Sequence, residues 1–260
     1  MRRLPIWRWL AYLTLSLAIV LLPPSGPVDT LAAPALAQPS TSFETWFDVE
    51  QPPPAPFELV QMVVDFPGGA RVGRHTHGGP GYVTMLEHDL TMSIGDAPVR
   101  VYGAGESFVE PFRVVAEGAN LGAAQASVLV TYVLPVGAAV TTLVPADPAA
   151  PAPALLAGQL PPGAAPRFES RMRLEDAPAG YRLGQSLRTY EPGAWTISEM
   201  ASASRLLTVV SGSALVLTGP GERTYHVGES WTELPGQAYL SGNTGADPTV
   251  VAVSVLGPPR

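Results

Sequence analysis

The chain has 260 residues, of which 46% are hydrophobic and only 14% carry a charged side chain. It contains neither cysteine nor lysine, which excludes disulfides, thiolate metal sites, cysteine nucleophiles, lysine Schiff bases and P-loop lysines. The formal net charge of −7 argues against nucleic acid as a partner.

The first 37 residues have the features of an export signal, in the right order. Three arginines lie among the first eight residues, before an uncharged and mostly apolar run over residues 9–22, and residues 35–37 read Ala-Leu-Ala. A basic start, a short apolar run and a small-residue cleavage site are typical of a secretory signal peptide. We therefore predict a signal peptide over residues 1–37 and a secreted or cell-surface location. An uncleaved segment that anchors the chain to a membrane is the alternative.

Short runs rich in β-branched and aromatic residues, separated by Gly, Pro and Asn, follow along the rest of the chain. In the first half they predict strands at 57–66, 71–77, 82–86, 90–94, 99–102, 107–110 and 127–134. In the second half they predict strands at 182–190, 195–200, 206–210, 214–218, 223–227, 230–234 and 249–256. No segment after the predicted signal peptide has a sustained 3.6-residue hydrophobic period, so the sequence predicts an all-β protein.

Residues 143–167 are rich in proline and alanine. So many prolines disfavour both a helix and a strand ladder, and we predict a semi-extended linker there. The linker separates a predicted barrel over residues 57–142 from a second over residues 168–260. Residues 38–56 are a predicted N-terminal arm, whose aromatic side chains we expect to cover an edge strand or a barrel end.

The two halves repeat each other at an offset of 123 or 124 residues. Gly69 recurs as Gly193, Asn120 recurs as Asn243, and the tripeptide Gly-Glu-Ser occurs at the matching place in each half. So small a slip over a whole domain indicates a duplication. Seven or eight short strands in each half suit an antiparallel double sheet or a small barrel.

Both halves resemble cupins, and the pair resembles a bicupin. The first cupin motif has a glycine, a His-x-His pair and a glutamate, and the second has Pro-x-Gly, a third histidine and an asparagine. Here Gly69 precedes the pair His75 and His77, and Pro111 precedes Asn120. The resemblance implies two tandem jelly-roll barrels of the double-stranded β-helix type.

In cupins the two histidines, the glutamate and the third histidine ligate one divalent metal. The resemblance assigns His75 and His77 to the first two positions. The glutamate position falls on Gly81 or Tyr82, and the third histidine position falls on Ala116. Residues two apart in a strand face the same way, so the histidine pair can chelate one ion, with Mn, Fe, Zn and Ni not distinguished.

Two protein ligands are fewer than a catalytic metal site usually has, so we expect at most a weak residual site. Water, a bound ligand or Tyr82 could complete it, and Glu110, just before Pro111, is an acid that could turn toward the pair. His88 at a predicted hairpin tip and His226 in a predicted strand are expected to lie elsewhere.

The second half has different residues at the ligand positions. Glu199 stands at a histidine position, Arg205 at the glutamate position, and Tyr239 or Leu240 at the third histidine position. The resemblance therefore implies no second metal site. Two interpretations stay open: an internal ion pair, or a small-molecule pocket in which Arg205 holds an anionic group. Tyr82, Glu199 and Arg205 are the candidate ligand-binding residues.

We therefore predict an exported, non-catalytic module that binds a small molecule or has a structural role. The alternative is a metal-dependent oxygenase or isomerase that uses His75 and His77. A third protein side chain within reach of this pair would favour the enzyme.

Overall fold

The computed structural model describes residues 37–49, 52–145, 160–176, 180–197, 199–219 and 221–257. The predicted signal peptide, except for Ala37, and the middle of the predicted linker lie outside these residues. The regular structure of the described residues is entirely β-strand, which confirms the predicted class. In that part of the chain, no helix has the length and apolar composition that crossing a membrane requires.

The strands lie in two sets of similar order, one for each half. The first half contains β1 (Ser40–Asp48), β2 (Phe57–Phe66), β3 (Arg71–His77), β4 (Gly81–Glu87), β5 (Leu90–Ile94), β6 (Arg100–Tyr102), β7 (Ser107–Glu110), β8 (Ala116–Ala119), β9 (Ala126–Pro135) and β10 (Thr141–Leu143). The second contains β11 (Ala165–Leu174), β12 (Arg182–Tyr190), β13 (Glu199–Met200), β14 (Arg205–Ser211), β15 (Ser213–Thr218), β16 (Gly221–His226), β17 (Ser230–Glu233), β18 (Ala238–Gly242) and β19 (Thr249–Gly257).

These strands form two tandem jelly-roll barrels, each made of two facing antiparallel sheets. The first barrel has the sheets β11-β2-β9-β4-β7 and β10-β3-β8-β5-β6, and the second has β1-β12-β19-β14-β17 and β13-β18-β15-β16. Apolar side chains from both sheets fill each interior because alternate residues of every strand point inward. The sheet β11-β2-β9-β4-β7 of the first barrel and the sheet β1-β12-β19-β14-β17 of the second also pack against each other through a second apolar core.

The duplication predicted from the sequence extends to individual hydrogen bonds. The side-chain amide of Asn120 donates to the main-chain carbonyls of Phe66 and Ala124, at 2.8 and 2.7 Å. Asn243 makes the matching pair of bonds one repeat later, at 2.9 and 2.8 Å. Each asparagine therefore joins the end of one long strand, β2 or β12, to the loop before another, β9 or β19.

The two halves exchange their first strands. Strand β1, in the predicted arm, pairs with β12, and strand β11 pairs with β2 of the first half. Strand β11 begins at Ala165, inside the segment that the sequence predicts to be a linker. Pro166 is accommodated because β11 is an edge strand, where a missing N–H is tolerated. The first barrel therefore includes residues that the sequence assigns to the linker and to the second barrel.

His88 and Arg113 have a left-handed backbone where the matching residues of the second repeat are Gly212 and Gly236. A left-handed φ costs a non-glycine residue about 1–2 kcal/mol. Replacing it by glycine removes this cost, but glycine also loses more backbone entropy on folding, so only part of the cost is recovered. We expect His88→Gly to raise the free energy of unfolding, measured by urea denaturation, by about 0.5–1 kcal/mol. His226→Gly, at an exposed strand position, should lower it; a loss for both variants would contradict the expectation.

Candidate metal centre

Two histidines and one glutamate meet inside the first barrel. His75 and His77 extend from β3, and Glu110 is the last residue of β7 in the facing sheet. Nε2 of His77 lies 3.0 Å from Oε2 of Glu110, and Nε2 of His75 lies 3.8 Å from Oε1. One candidate ligand atom from each residue lies within 4.8 Å of the other two, and all three side chains are buried. This cluster could hold one metal ion.

Main-chain carbonyls orient both imidazole rings. Nδ1 of His75 lies 2.7 Å from the carbonyl oxygen of Gly73, and Nδ1 of His77 lies 2.8 Å from that of Val140. A carbonyl only accepts hydrogen bonds, so Nδ1 carries the proton in each ring and donates. Nε2 of each ring therefore points at Glu110 as the nitrogen available to a metal. This orientation of ligand imidazoles by a second contact is typical of metal sites.

Glu110 supplies a carboxylate in place of the glutamate that the cupin motif places at residue 81 or 82. In the ladder between β4 and β7, Glu110 lies directly opposite Gly81. A Cβ at residue 81 would lie 2.7 Å from Cε1 of Tyr132 and 3.4 Å from Oε2 of Glu110. The missing side chain at Gly81 thus leaves the space that the glutamate and the tyrosine ring occupy.

The charges in the cluster stabilise one another. Burial by itself disfavours the ionised form of Glu110, but the contacts with His75 and His77 outweigh it and lower its pKa from 4.5 to about 2. Burial opposes protonation of His75, but the adjacent carboxylate outweighs it and raises the pKa of His75 above 6.5. Burial and Glu110 together raise the pKa of Tyr132 well above 10, so its phenol stays protonated at neutral pH.

The cluster lies at a mostly apolar cavity of about 230 Å³ in the first barrel. Its wall is composed chiefly of aliphatic and aromatic side chains, among them Met62, Val64, Met92, Phe108 and Tyr132. The charged groups on this wall are the three members of the cluster, and no arginine contributes to it among the described residues.

The donor set fits a divalent transition metal. Two imidazole nitrogens and one carboxylate are the ligands of the non-haem iron facial triad, and zinc enzymes also use two histidines and a glutamate. In the metal-free protein, two bare Nε2 atoms and a carboxylate oxygen face each other, which is stable only if a proton lies between them. A divalent cation would satisfy all three donors at once.

The structure places the other candidates of the first half outside this cluster. Ala116, at the third histidine position, pairs with His75 across β3 and β8, so a methyl group stands where a histidine would. Tyr82 packs on Phe47 in the apolar core between the barrels, with ring centroids 5.2 Å apart. His88 and His226 are exposed.

The matching position in the second barrel contains an ion pair. Arg205 lies opposite Glu233 in the ladder between β14 and β17, just as Gly81 lies opposite Glu110. Nη1 of Arg205 lies 3.1 Å from Oε2 of Glu233, so a guanidinium is the cation beside this carboxylate. The backbone of Glu199 pairs with Tyr239, and its side chain lies outside the described part of the structure.

No protein-family model and no curated protein matches this sequence. Solved structures match its fold. AerE from Microcystis aeruginosa aligns with a TM-score of 0.50 at 9% identity, over 85% of this chain and 98% of that chain. An arginine-to-alanine mutant of Bacillus subtilis oxalate decarboxylase OxdC aligns with a TM-score of 0.51 at 15% identity, over 84% and 73%.

The chain has a tandem cupin fold. Structural similarity at identities this low establishes the fold alone, and the activity has to be argued from the site. Within that fold, the first barrel keeps two motif histidines and takes its carboxylate from the neighbouring strand.

The cupin motif does not single out Glu110 as a ligand because the motif places its glutamate on β4. One signal in the sequence points to it. Side chains alternate in a strand, so in Ser-Phe-Val-Glu the glutamate shares a face with the inward-pointing Phe108. The matching segment of the second repeat, Ser-Trp-Thr-Glu, also ends in an inward-pointing glutamate, Glu233.

The cluster predicts opposite pH dependences for the metal-free and the metal-loaded cupin. The contribution of Glu110 to stability is present above pH 4.5 and is lost as the pH falls toward about 2. That of His75 is present below pH 6.5 and is lost as the pH rises through the raised pKa of the folded state. We expect the difference in Tm between wild type and His75→Gln, both metal-free, to shrink from about pH 6 to about pH 8.5.

A bound metal needs unprotonated imidazoles, so the increase in Tm on adding metal should grow over the same range. Thermal unfolding of both proteins, with and without added zinc, measures both trends. A metal-free difference that grows with pH would contradict the assigned ion pair.

Proposed function

We propose that the first barrel binds one divalent transition metal through His75, His77 and Glu110 and is the active site of a metal-dependent enzyme. The proposed class is an oxygenase or isomerase that acts on a small, largely apolar molecule. One observation carries the proposal: a buried carboxylate completes the histidine pair at the wall of an apolar cavity.

Three protein ligands would leave coordination positions of the metal open to a substrate. The metal would supply Lewis-acid polarisation or, if iron, activation of dioxygen. The chain itself would orient the substrate and exclude water through the apolar wall of the cavity. Tyr132 would hold its phenolic proton and could donate a hydrogen bond to a polar group of the substrate, because burial and Glu110 keep its pKa high.

Metal analysis of the full chain, purified without chelator, tests the metal site. We expect close to one metal ion per chain in the wild type and none in His75→Ala/His77→Ala. The control His88→Ala/His226→Ala removes two exposed histidines and should keep the metal. No metal in the wild type, even after incubation with excess Fe²⁺, Mn²⁺, Ni²⁺ or Zn²⁺, would overturn the proposal.

A non-catalytic cupin is the second candidate, and the contact between His77 and Glu110 favours it. At 3.0 Å these side chains can satisfy each other through a shared proton, without a metal. Oxygen uptake and product analysis of the iron-loaded protein, with a panel of small apolar compounds, separate the two, because an isomerase would form product without consuming oxygen. Uptake that requires His75 and His77 supports the enzyme, whereas bound iron without turnover of any compound supports the non-catalytic module.

We also propose that the chain is exported, on the strength of residues 1–37 alone. Expression of the full chain followed by N-terminal sequencing of the extracellular protein tests this. A mature N-terminus at Gln38 is expected, and retention of the intact N-terminus in the cytosol would contradict it.

A further inference from the structure

We propose that the second barrel binds a small monocarboxylate anion between Arg188 and Arg205. This inference does not depend on metal binding in the first barrel. The backbones of the two barrels correspond strand by strand, and the inference rests on the side chains that differ between them.

At two corresponding positions, the first barrel has a valine and a glycine and the second barrel has arginines. Val64 lines the cavity of the first barrel and pairs with Val128; Arg188 is its counterpart and pairs with Val251. Gly81, opposite Glu110, has Arg205 as its counterpart. Both changes add a guanidinium to the same region, so the two barrels suit ligands of different polarity.

Both arginines line a cavity of about 230 Å³ in the second barrel. The other charged side chain described on its wall is Glu233, and Thr41 and Tyr239 add hydroxyl groups. An adjoining cavity of about 240 Å³ shares Arg188 and Arg205 and adds Glu44, whose carboxylate accepts a hydrogen bond from Trp46. Both arginines therefore line the same two cavities.

The single carboxylate of the first of these cavities is already engaged. Glu233 accepts one bond from Nη1 of Arg205 at 3.1 Å and another from Nε1 of Trp231 at 3.3 Å. Arg205 thereby keeps further N–H groups for a ligand. Among the described side chains, no carboxylate forms an ion pair with Arg188, which contacts the hydroxyl of Tyr190.

The charges favour a monoanion. Two guanidinium groups and one carboxylate leave a formal charge of +1 on the described wall of this cavity, which a carboxylate neutralises. A guanidinium fork matches the two oxygens of a carboxylate, and the side chains of Ile197 and Pro39 provide apolar contact for a short tail. A dianion would be repelled by the nearby Glu233.

Calorimetric titration of the metal-depleted full chain with butyrate, butyramide and inorganic phosphate tests the site. We expect saturable binding of butyrate, with butyramide and phosphate at least tenfold weaker. Arg188→Val introduces the residue of the first barrel and should weaken butyrate binding at least tenfold. Arg223→Gln removes an exposed arginine of the same barrel and should change it less than twofold.

Binding by the His75→Ala/His77→Ala variant should equal that of the wild type, which separates this site from the metal centre. Circular dichroism establishes whether Arg188→Val is folded, and Arg205→Gln gives an independent variant. No butyrate binding at about 10 mM overturns the proposal. So does equal binding of butyramide, tighter binding of phosphate, or unchanged binding in both folded arginine variants.

Discussion

Replacing Glu110 by glutamine is expected to weaken divalent-metal binding by at least about 100-fold while the protein stays folded. Loss of groups that only orient metal ligands costs about 10–100-fold, so loss of a charged ligand should cost at least as much. The amide of glutamine can donate a hydrogen bond to Nε2 of His77, which keeps the buried histidine satisfied without metal. Competition for zinc with a chromogenic chelator measures the change in affinity.

Glu233→Gln is the matched control, because Glu233 occupies the position of Glu110 in the second barrel. Its carboxylate contacts Arg205 and Trp231 instead of two histidines, so this variant should bind metal as the wild type does. Equal metal affinity in Glu110→Gln and the wild type would remove the carboxylate from the ligand set. The protein would then have the two-histidine site that the motif comparison alone implies.

Replacing Gln185 by leucine should destabilise the protein by about 2–4 kcal/mol, although its side chain is not one of the candidate metal ligands. Gln185 is buried between the barrels. Its amide nitrogen donates to Thr131 Oγ1 at 2.8 Å and to the carbonyl of Tyr82 at 2.9 Å, and its oxygen accepts from Thr84 at 2.7 Å. Leucine fills the space but leaves buried polar partners unpaired, each costing about 1–3 kcal/mol.

Gln61 provides a second, symmetric test of the same idea. It is the counterpart of Gln185 and makes the matching bonds to Ser254 at 2.8 Å and Thr208 at 2.6 Å in the second barrel. A bond of 2.7 Å between Thr131 and Ser254 links the two glutamines. We therefore expect Gln61→Leu to cost a similar amount and the double variant to deviate from additivity.

Urea unfolding of these variants measures the loss, with Gln125→Leu as the control. Gln125 is exposed, so its replacement should change the free energy of unfolding by no more than about 0.5 kcal/mol. A loss in Gln185→Leu no larger than this control would mean that the polar network does not stabilise the contact between the barrels.

The sequence predicted most strands but missed five of those described, the edge strands β1, β10 and β11 and the central strands β8 and β18. Strand β8 reads Ala-Glu-Gly-Ala and β18 reads Ala-Tyr-Leu-Ser-Gly. Alanine and glycine are depleted in strands and glutamate is too, so β8 has no local signal, and β18 has only Tyr239 to favour a strand. Both form because neighbouring strands pair with them on each side. Pairing across the sheet thus overrides local preference.

The sequence predicted the histidine pair of the candidate metal centre but did not assign its carboxylate. Two histidines at i and i+2 share a face in any strand, which local geometry guarantees. The third member lies 33 residues from His77 in the chain, and only the pairing of β4 with β7 brings its carboxylate to Nε2. A motif records which position usually carries a ligand, but a carboxylate on the opposite strand can reach the same point in space.

By itself the sequence determined the all-β class, the duplication, the absence of thiol and lysine chemistry, and the histidine pair, because composition, repeat spacing and strand alternation can be read along the chain without knowing which strands pair. Only the tertiary structure decided which carboxylate meets the histidines, that Tyr82 faces the core between the barrels, and that Arg205 pairs with Glu233. It also decided that the two halves exchange their first strands. These features depend on the register between strands distant in the chain, and register follows from the packing of whole faces rather than from any short segment.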